Sequence, residues 1–306
     1  MISAKTKVTV GACTFRRPDG LTNLIESYRS LNVPDEIELT FIVIDNDLTP
    51  SSYEVFEQIT RDFPWPFRYV HEPEPGIPIA RNRVVQEAGT EGYLIFVDDD
   101  ETVTPNWLVE LWRIEQETNA TFVQGPVQML VDNNEDEWWL KTLFFRQKEF
   151  ADGASRIESW TNNVLVDLAF LTENDCRFEN RLRYDGGTDT LFFQDIVNSG
   201  GSGAYAANAW VREVQPPNRL TWKWAINRQF RYGTTRAMTV LLRRSRLEAT
   251  LYCLVRGCGM AVVGIGFLVT ALLRGRIGIA NGVALLSRSA GILSGMVGRR
   301  KLEYAR

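Results

Sequence analysis

The sequence predicts an α/β fold: a mostly parallel β-sheet covered by helices on both faces, followed by basic, apolar C-terminal helices. Three observations support this prediction. Apolar strand-like runs alternate with helical segments through the first half of the 306-residue chain. The runs are continuously apolar, which is typical of parallel strands buried on both faces. Acidic residues directly follow two of these runs, at Asp45 and Asp98, where such sheets bind ligands.

The alternation of strands and helices extends from the N-terminus to residue 123. In chain order the patterns predict strand 8–10, helix 19–31, strand 39–44, helix 51–61, strand 67–70, helix 78–88, strand 93–97, helix 105–117 and strand 121–123. Residues 132–218 are irregular and rich in Trp, Asn and Gly, and the pattern predicts only a helix over 190–198 there. Surface loops of this kind often carry specificity.

The composition argues against several classes of protein. Apolar residues make up 44% and charged residues 24%, as in globular proteins. The only histidine, His71, makes His-based zinc sites and Ser-His-Asp triads poor candidates. Four scattered cysteines form no metal or disulfide framework, and we expect free buried thiols at Cys13, Cys176, Cys253 and Cys258. The N-terminus lacks the pattern of a signal peptide, so the body of the protein is expected in the cytoplasm.

The C-terminal region differs from the rest in charge. Residues 219–306 contain 16 Lys and Arg but 2 Asp and Glu, whereas residues 1–218 contain 18 and 36. We therefore predict a catalytic domain over 1–218 and a membrane-associating helical region over 219–306. A basic region is expected to bind an anionic partner, either nucleic acid or the cytoplasmic membrane leaflet. Binding of RNA would require aromatic side chains among the basic residues, whereas this region is largely apolar helix, so we favour the membrane.

Two apolar stretches in this region bear on the membrane. Residues 257–273 are uncharged, at the lower limit of length for a membrane span, and residues 277–297 are interrupted only by Arg288. The two could pack as a hairpin in one leaflet or span the bilayer as a pair. A soluble helical subdomain is the third alternative.

Four adjacent carboxylates follow the strand over 93–97. Asp98, Asp99, Asp100 and Glu101 repel one another unless a cation lies among them. Mg²⁺ and Mn²⁺ bind carboxylates together with substrate phosphates. We therefore expect a metal-bound diphosphate at this turn, with the metal at Asp98 and Asp100 and the diphosphate beside Asp98 and Asp99. A solvated acidic turn is the alternative.

Other polar residues follow strands or lie on the next helix. Asp45 is suited to accept hydrogen bonds from a ribose hydroxyl or a base N–H, or else is a cap or turn residue. Thr14 and Arg16, with Arg17, follow the first strand, where they could contact a nucleotide or form a surface group. Arg81 lies on the helix before the acidic turn, as a ligand contact or an ordinary helix-face residue.

A glycine-rich segment precedes the helix over 190–198. Gly186 and Gly187 allow close approach of the backbone to a ligand. Asp189 is either the N-cap of that helix or a general base. Asn162 and Asn163 open a strand-like run, and their side chains are suited to contact an acceptor or a phosphate, or else form a turn.

Together these segments resemble family 2 glycosyltransferases of the GT-A fold, most closely the M-type members of the glucosyltransferase group that builds succinoglycan-type exopolysaccharide. The resemblance spans nearly the whole chain, and its specificity lies in the order and spacing of the motifs. The motifs are GACTFRRPDG at 11–20, FIVIDND at 41–47, IPIARN at 77–82, FVDDDETV at 96–103, GGTDTLFF at 186–193 and PPNRLTWKW at 216–224.

The resemblance implies roles for particular residues. Asp45 would hold uridine, Asp98 and Asp100 would bind the metal (Mg²⁺ or Mn²⁺) and the diphosphate, and Asp189 would be the catalytic base. The family usually has Glu before this aspartate, whereas this chain has Thr188. The implied activity is inverting transfer of glucose from UDP-glucose to a lipid-linked oligosaccharide at the cytoplasmic face of the bacterial inner membrane. Nucleic acid is not expected as a partner.

The chemistry agrees with these roles independently. An inverting transfer needs a base for the acceptor hydroxyl proton and a cation for the charge that develops on the departing diphosphate. Asp189 and the carboxylates at Asp98 and Asp100 could supply these. Three alternatives stay open: a polyprenyl-phosphate glycosyltransferase, a sugar-nucleotide nucleotidyltransferase and a membrane-tethered binding module. Nucleotidyltransferases usually have a glycine-rich loop after the first strand, and the segment ACTFRRPDG matches that loop poorly.

Overall fold

The computed structural model describes residues 4–183 and 186–297, without the side chain of Leu272. The strands are β1 (Thr6–Thr14), β2 (Ile37–Asp45), β3 (Phe67–His71), β4 (Tyr93–Asp98), β5 (Glu101–Val103), β6 (Phe122–Gln124), β7 (Val127–Leu130), β8 (Val164–Asp167), β9 (Gly203–Tyr205) and β10 (Val211–Val214). The helices are α1 (Pro18–Tyr28), α2 (Tyr53–Thr60), α3 (Ile77–Ala88), α4 (Trp107–Thr118), α5 (Glu137–Leu140), α6 (Leu168–Glu173), α7 (Thr188–Asn198), α8 (Trp222–Arg243), α9 (Arg246–Val269) and α10 (Ala271–Met296).

The larger sheet has seven strands in the order β3-β2-β1-β4-β8-β6-β9. Strands β1, β2, β3 and β4 are mutually parallel, and β8 runs antiparallel to both β4 and β6. The predicted mostly parallel sheet is confirmed, and β8 is the strand-like run that follows Asn163. A smaller sheet has the order β5-β10-β7.

Both faces of the larger sheet are covered by helices. On one face Leu21 and Leu24 of α1 and Trp107 of α4 are fully buried. On the other face Val84 of α3 and Phe192 of α7 are equally buried. These residues belong to two separate apolar clusters, because alternate side chains of a strand point to opposite faces. The predicted covering of both faces is therefore confirmed.

The parallel register brings the carboxyl ends of three strands together. Thr14 pairs with Asp45 across β1 and β2, and Cys13 pairs with Asp98 across β1 and β4. The residues that follow these strands therefore lie at one edge of the sheet.

The chain forms two compact units. The first consists of the residues up to Gln128, Lys148–Arg183 and Thr188–Glu213, and it contains the larger sheet. The second consists of Met129–Gln147, the short stretch that ends at Gly187, and the residues from Val214 onward. The functional division into residues 1–218 and 219–306 stays a prediction.

In the second unit, helix α10 packs along both α8 and α9. Trp139, Phe144 and Phe145 pack with Ala280 and Ala284 of α10 in one apolar cluster. The backbones of α8 and α10 approach so closely that a methyl group on Gly291 would collide with the carbonyl oxygen of Phe230. Gly187, which has a positive φ of 94°, lies against the side chains of Thr235 and Thr239 of α8, so its lack of a side chain serves packing within this unit.

Candidate active site

The acidic turn after β4 is held by residues that follow β1. Thr14 donates from Oγ1 to Asp99 Oδ2 at 2.8 Å. Arg17 Nη1 lies 3.0 Å from Asp99 Oδ1 and 2.9 Å from Asp100 Oδ2, so one guanidinium joins two carboxylates of the turn. Thr14 and Asp99, which were predicted separately as ligand contacts, are hydrogen-bonded to each other, and Asp99 holds the turn in place.

Negative charge accumulates at Asp98. Burial raises the pKa of Asp98 to about 7; Arg81 opposes this effect, and Asp100, Asp99 and Asp189 add to it. Next to it, Glu101 is buried and accepts a hydrogen bond from the backbone N–H of Asp98 at 3.0 Å. Burial, with the charges of Asp98 and Glu213, raises the pKa of Glu101 well above its ordinary value. Burial and neighbouring carboxylates therefore disfavour the charged forms of Asp98 and Glu101.

This donor set fits a divalent cation. Among the described residues no three Asp, Glu, His or Cys side chains converge in a metal-binding geometry. Mg²⁺, however, is commonly held by one or two carboxylates with substrate phosphates and water. Asp98 and Asp100 are half-buried carboxylates of the right chemical type, and a cation beside them would offset the burial and the neighbouring negative charges that raise the pKa of Asp98.

Asp189 lies in the first turn of α7, one residue after its start, rather than at the N-cap position. Arg81 of α3 donates from Nη1 to Asp189 Oδ1 and, at 3.1 Å, to Thr188 Oγ1. Thr161 donates from Oγ1 to Asp189 Oδ2 at 3.3 Å. The guanidinium of Arg81 also lies 5.7 Å from the ring centroid of Phe178. Asp189 is thus held by Arg81 and Thr161, and it is close enough to Asp98 to raise the pKa of that residue.

Asp45 is fully buried at the end of β2, where its carboxylate shapes the loop that follows. It accepts hydrogen bonds from the backbone N–H of Ser52 at 3.0 Å, from that of Asp47 at 3.1 Å, and from the hydroxyl of Tyr69. Arg16, in a left-handed backbone conformation with φ 54°, donates to Asp47 at 2.7 and 3.2 Å. Arg16 and Asp47 therefore form the side of the site that lies next to Asp45.

Sequence reasoning missed Thr161, Asp47 and the bridging role of Arg17. Asp47 was visible within the Asp-Asn-Asp run at the end of β2, whereas Thr161 lies in an irregular segment that carried no signal. Asn163 is a structural residue: its amide donates to the carbonyls of Pro126 and Ala209, and its oxygen accepts from the Trp107 indole. Because Asn163 is buried and both of its N–H groups are bonded to carbonyls, it does not make the acceptor or phosphate contact considered for it.

The expectation of four buried cysteines is partly wrong. All four are free. Cys258 is exposed because it lies on the apolar side of α9 that faces outward, and Cys13 of β1 is half-buried. Burial raises the pKa of the Cys13 thiol to about 12.

Comparisons with known proteins agree on the family. The family model described as Glycosyl transferase family 2 matches residues 9–177. The succinoglycan biosynthesis protein ExoM of Rhizobium meliloti (strain 1021) is 32% identical over 302 residues, which covers 97% of this chain and 94% of ExoM.

Two solved structures share the fold. The mannosyltransferase PcManGT from Pyrobaculum calidifontis, in complex with GDP-Man and Mn²⁺, has a TM-score of 0.65 at 13% identity, covering 96% of this chain and 88% of that one. S. aureus TarS 1-349 in complex with UDP-GlcNAc has a TM-score of 0.54 at 14% identity, covering 96% and 92%. At these identities the likeness shows the fold alone.

Proposed function

The chain belongs to glycosyl transferase family 2 and has a GT-A-like fold, and from this premise we propose that it is an inverting glucosyltransferase. Its donor is UDP-glucose, and its acceptor is a lipid-linked oligosaccharide in the synthesis of a succinoglycan-type exopolysaccharide. The observation that carries the proposal is the placing of Asp189 beside the acidic turn at Asp98, at the carboxyl edge of the sheet. The name of ExoM supports the polymer, and the UDP-GlcNAc complex of TarS supports a nucleotide-sugar donor.

The acidic turn holds the donor end of the reaction. Asp98 and Asp100 would bind Mg²⁺ or Mn²⁺, and a bound cation would stabilise the negative charge that develops on the departing diphosphate. The Mn²⁺ in the PcManGT complex supports this choice. Thr14 and Arg17 keep the turn in place through Asp99, and Arg16 and Asp45 lie on the side where we place the nucleoside.

Asp189 acts as the general base. In an inverting transfer the acceptor hydroxyl attacks the anomeric carbon from the side opposite the leaving group, and its proton must leave as the bond forms. Asp189 Oδ2 takes that proton, while Arg81 holds Oδ1 and fixes the direction of the carboxylate. Because the displacement is a single step, no covalent nucleophile is needed.

The acceptor and the cellular location follow from the C-terminal region. Two helices are long and apolar enough to reach into a membrane, Arg246–Val269 and Leu273–Met296. Their excess of basic residues favours the anionic cytoplasmic leaflet of the inner membrane. A lipid-linked acceptor lies at that surface, which gives a cytoplasmic catalytic domain a reason to carry such helices.

Release of UDP from a panel of UDP-sugars, measured with membranes that contain lipid-linked acceptors, tests the proposal. We expect UDP-glucose to be the best donor, a product of inverted anomeric configuration, and loss of activity in excess chelator. Activity with polyprenyl phosphate alone would instead indicate the alternative acceptor. Full activity in excess chelator would contradict the metal-bound diphosphate.

A further inference from the structure

Helices α9 and α10 are both apolar, but they have different surroundings. In the most apolar window of α9, 17% of the residues are buried, against 39% in that of α10. The buried residues of α9 form an inner stripe along the helix: Ala249, Cys253, Gly257 and Gly264. Large aliphatic residues are exposed on the opposite side. Leu251, Val255, Val262, Ile265 and Val269 lie along its centre, and Leu254 and Val263 lie at its two edges.

This outer face of α9 runs the full length of the helix. Leu251, Val255, Cys258, Val262, Ile265 and Val269 recur at intervals of four and three residues, so they form one line parallel to the helix axis. The inner stripe of α9 packs along α10, with Gly257 next to Leu293 and Gly264 next to Leu286. Helix α9 could therefore cross a bilayer only together with α10.

Helix α10 cannot cross a bilayer, because the charged segment 129–147 packs against its first half. Leu143 donates its backbone N–H to Asn281 Oδ1 at 2.8 Å, and the guanidinium of Arg276 lies 4.7 Å from the ring centroid of Trp138. The segment 129–147 that makes these contacts also carries exposed charges at Asp132, Glu135, Glu137, Lys141 and Arg146. A crossing α10 would draw these charges into hydrocarbon, where each is costly.

The length of α10 agrees. Only eleven uncharged residues separate Arg276 from Arg288. They measure about 16 Å at 1.5 Å per residue, whereas the hydrocarbon core is about 30 Å thick. In addition, Arg288 donates to Gln229 of α8 at 2.8 Å, which holds that end of the uncharged stretch on protein.

We propose that the chain is monotopic: α9 lies in the plane of one leaflet with its outer face among the acyl chains, and no described segment crosses the membrane. The lipid surface is favoured by charge. Exposed Arg243, Arg244 and Arg246 precede the outer face, and exposed Arg274 follows it. Two of these side chains lie against aromatic rings, Arg244 on Tyr252 and Arg274 on Phe267, as at a membrane interface. This inference rests on the proposed membrane location.

Fluorophore depth in vesicles tests the geometry. Single cysteines replace Leu251, Val262 and Val269 of the full-length chain with Cys258→Ser, and each is labelled with an environment-sensitive dye. All three positions point in the same direction from the axis, so an in-plane helix gives equal depths. A crossing helix makes the depth at 262 differ from that at 251 by about 16 Å. Ser30→Cys, exposed in the first unit, is the control that stays in water in either case.

Flotation with vesicles that contain phosphatidylglycerol tests the charge. Changing Arg243, Arg244 and Arg246 together to Gln should weaken binding by about 100-fold, at about fivefold for each residue near an anionic surface. The matched triple change of the exposed Lys7, Arg61 and Arg177 to Gln should leave binding unchanged.

The outcomes separate the two proposals. If the chain does not float with vesicles, the membrane location and the monotopic arrangement both fail. If it floats but the three depths are graded, only the arrangement fails. If the dye at 262 is shielded in buffer and the molecular mass is doubled, a second copy of the chain covers α9, and the arrangement fails likewise. UDP release from UDP-glucose is measured separately and reports on the transferase proposal alone.

Discussion

Replacing Arg81 by Gln should uncouple Asp189 from the rest of the site. Both side chains are less than one-fifth exposed, at 14% and 18%. A hydrogen bond to a charged partner at such a site contributes about 1.5–3 kcal/mol, which corresponds to about 10- to 150-fold in rate when the bond orients a reacting group. We therefore expect Arg81→Gln to lower kcat within that range.

A double-mutant cycle isolates this interaction. Asp189→Asn alone should lower kcat by about 10²–10⁴-fold, as is typical for loss of a general base. Adding Arg81→Gln to Asp189→Asn should then cost little more, because the carboxylate that Arg81 orients is gone. Steady-state UDP release with UDP-glucose and acceptor measures kcat for each variant. Urea unfolding measures the free energy of unfolding of the same variants and gives the coupling between the two residues in stability.

The control is the exposed pair Glu26 and Arg29, whose side chains are 47% and 40% exposed. Its cycle should give a coupling of about 0.5 kcal/mol or less, because solvent screens such pairs. Additive effects of Arg81→Gln and Asp189→Asn on kcat would show that Arg81 does not act through Asp189. Near-normal turnover in Asp189→Asn would place the base on another residue.

Four further predictions follow from the same contacts. Asp100→Ala should lower Mn²⁺ affinity, measured by calorimetry with UDP present, and should lower turnover by orders of magnitude while the fold persists; unchanged affinity would place the metal elsewhere. The pKa of Asp98 is raised from 3.8 to about 7, so between these values the folded chain keeps a proton that the unfolded chain loses. In metal-free protein the free energy of unfolding should therefore fall as pH rises from about 4 to about 7. The variant Asp98→Asn should remove this pH dependence. At pH 8 a maleimide should label the exposed Cys258 and leave Cys13, whose pKa is about 12, unmodified in the native protein. Gly291→Ala should lower the melting temperature because its new methyl would lie 2.1 Å from the carbonyl oxygen of Phe230, whereas Gly259→Ala, with no atom within 4 Å, should not.

The parallel part of the sheet was predictable because its strands are buried on both faces. Such strands are continuous apolar runs, so 39–44 and 93–97 could be recognised without knowledge of their partners. Strand β8, Val164–Asp167, was recognisable only as a strand-like run after Asn163. Its antiparallel place between β4 and β6 was not predictable, because both partners come from distant parts of the chain.

The candidate site was predictable to the same extent. Thr14, Asp45 and Asp98 follow predicted strands, and parallel pairing places strand ends side by side. The environment of each carboxylate was not predictable. Asp45 is enclosed by Ser52 and Tyr69, and Thr161 reaches Asp189 across 28 residues, both through tertiary packing that leaves no mark on the local sequence.

Hydropathy does not distinguish the surroundings of the two apolar helices α9 and α10, whereas the size of their side chains does. Both helices qualify as candidate spans by length and composition. Helix α10, however, has small residues where it meets protein: Ala280 and Ala284 face the aromatic cluster, and Gly291 lies against α8. Small residues allow close backbone approach, so an apolar helix rich in them finds its partner within the protein. Helix α9 instead exposes large aliphatic side chains such as Leu251 and Val262, for which the described part of the chain provides no cover. Of two helices with similar composition, α10 therefore belongs to the protein core, and α9 is the one for which a lipid leaflet is the fitting partner.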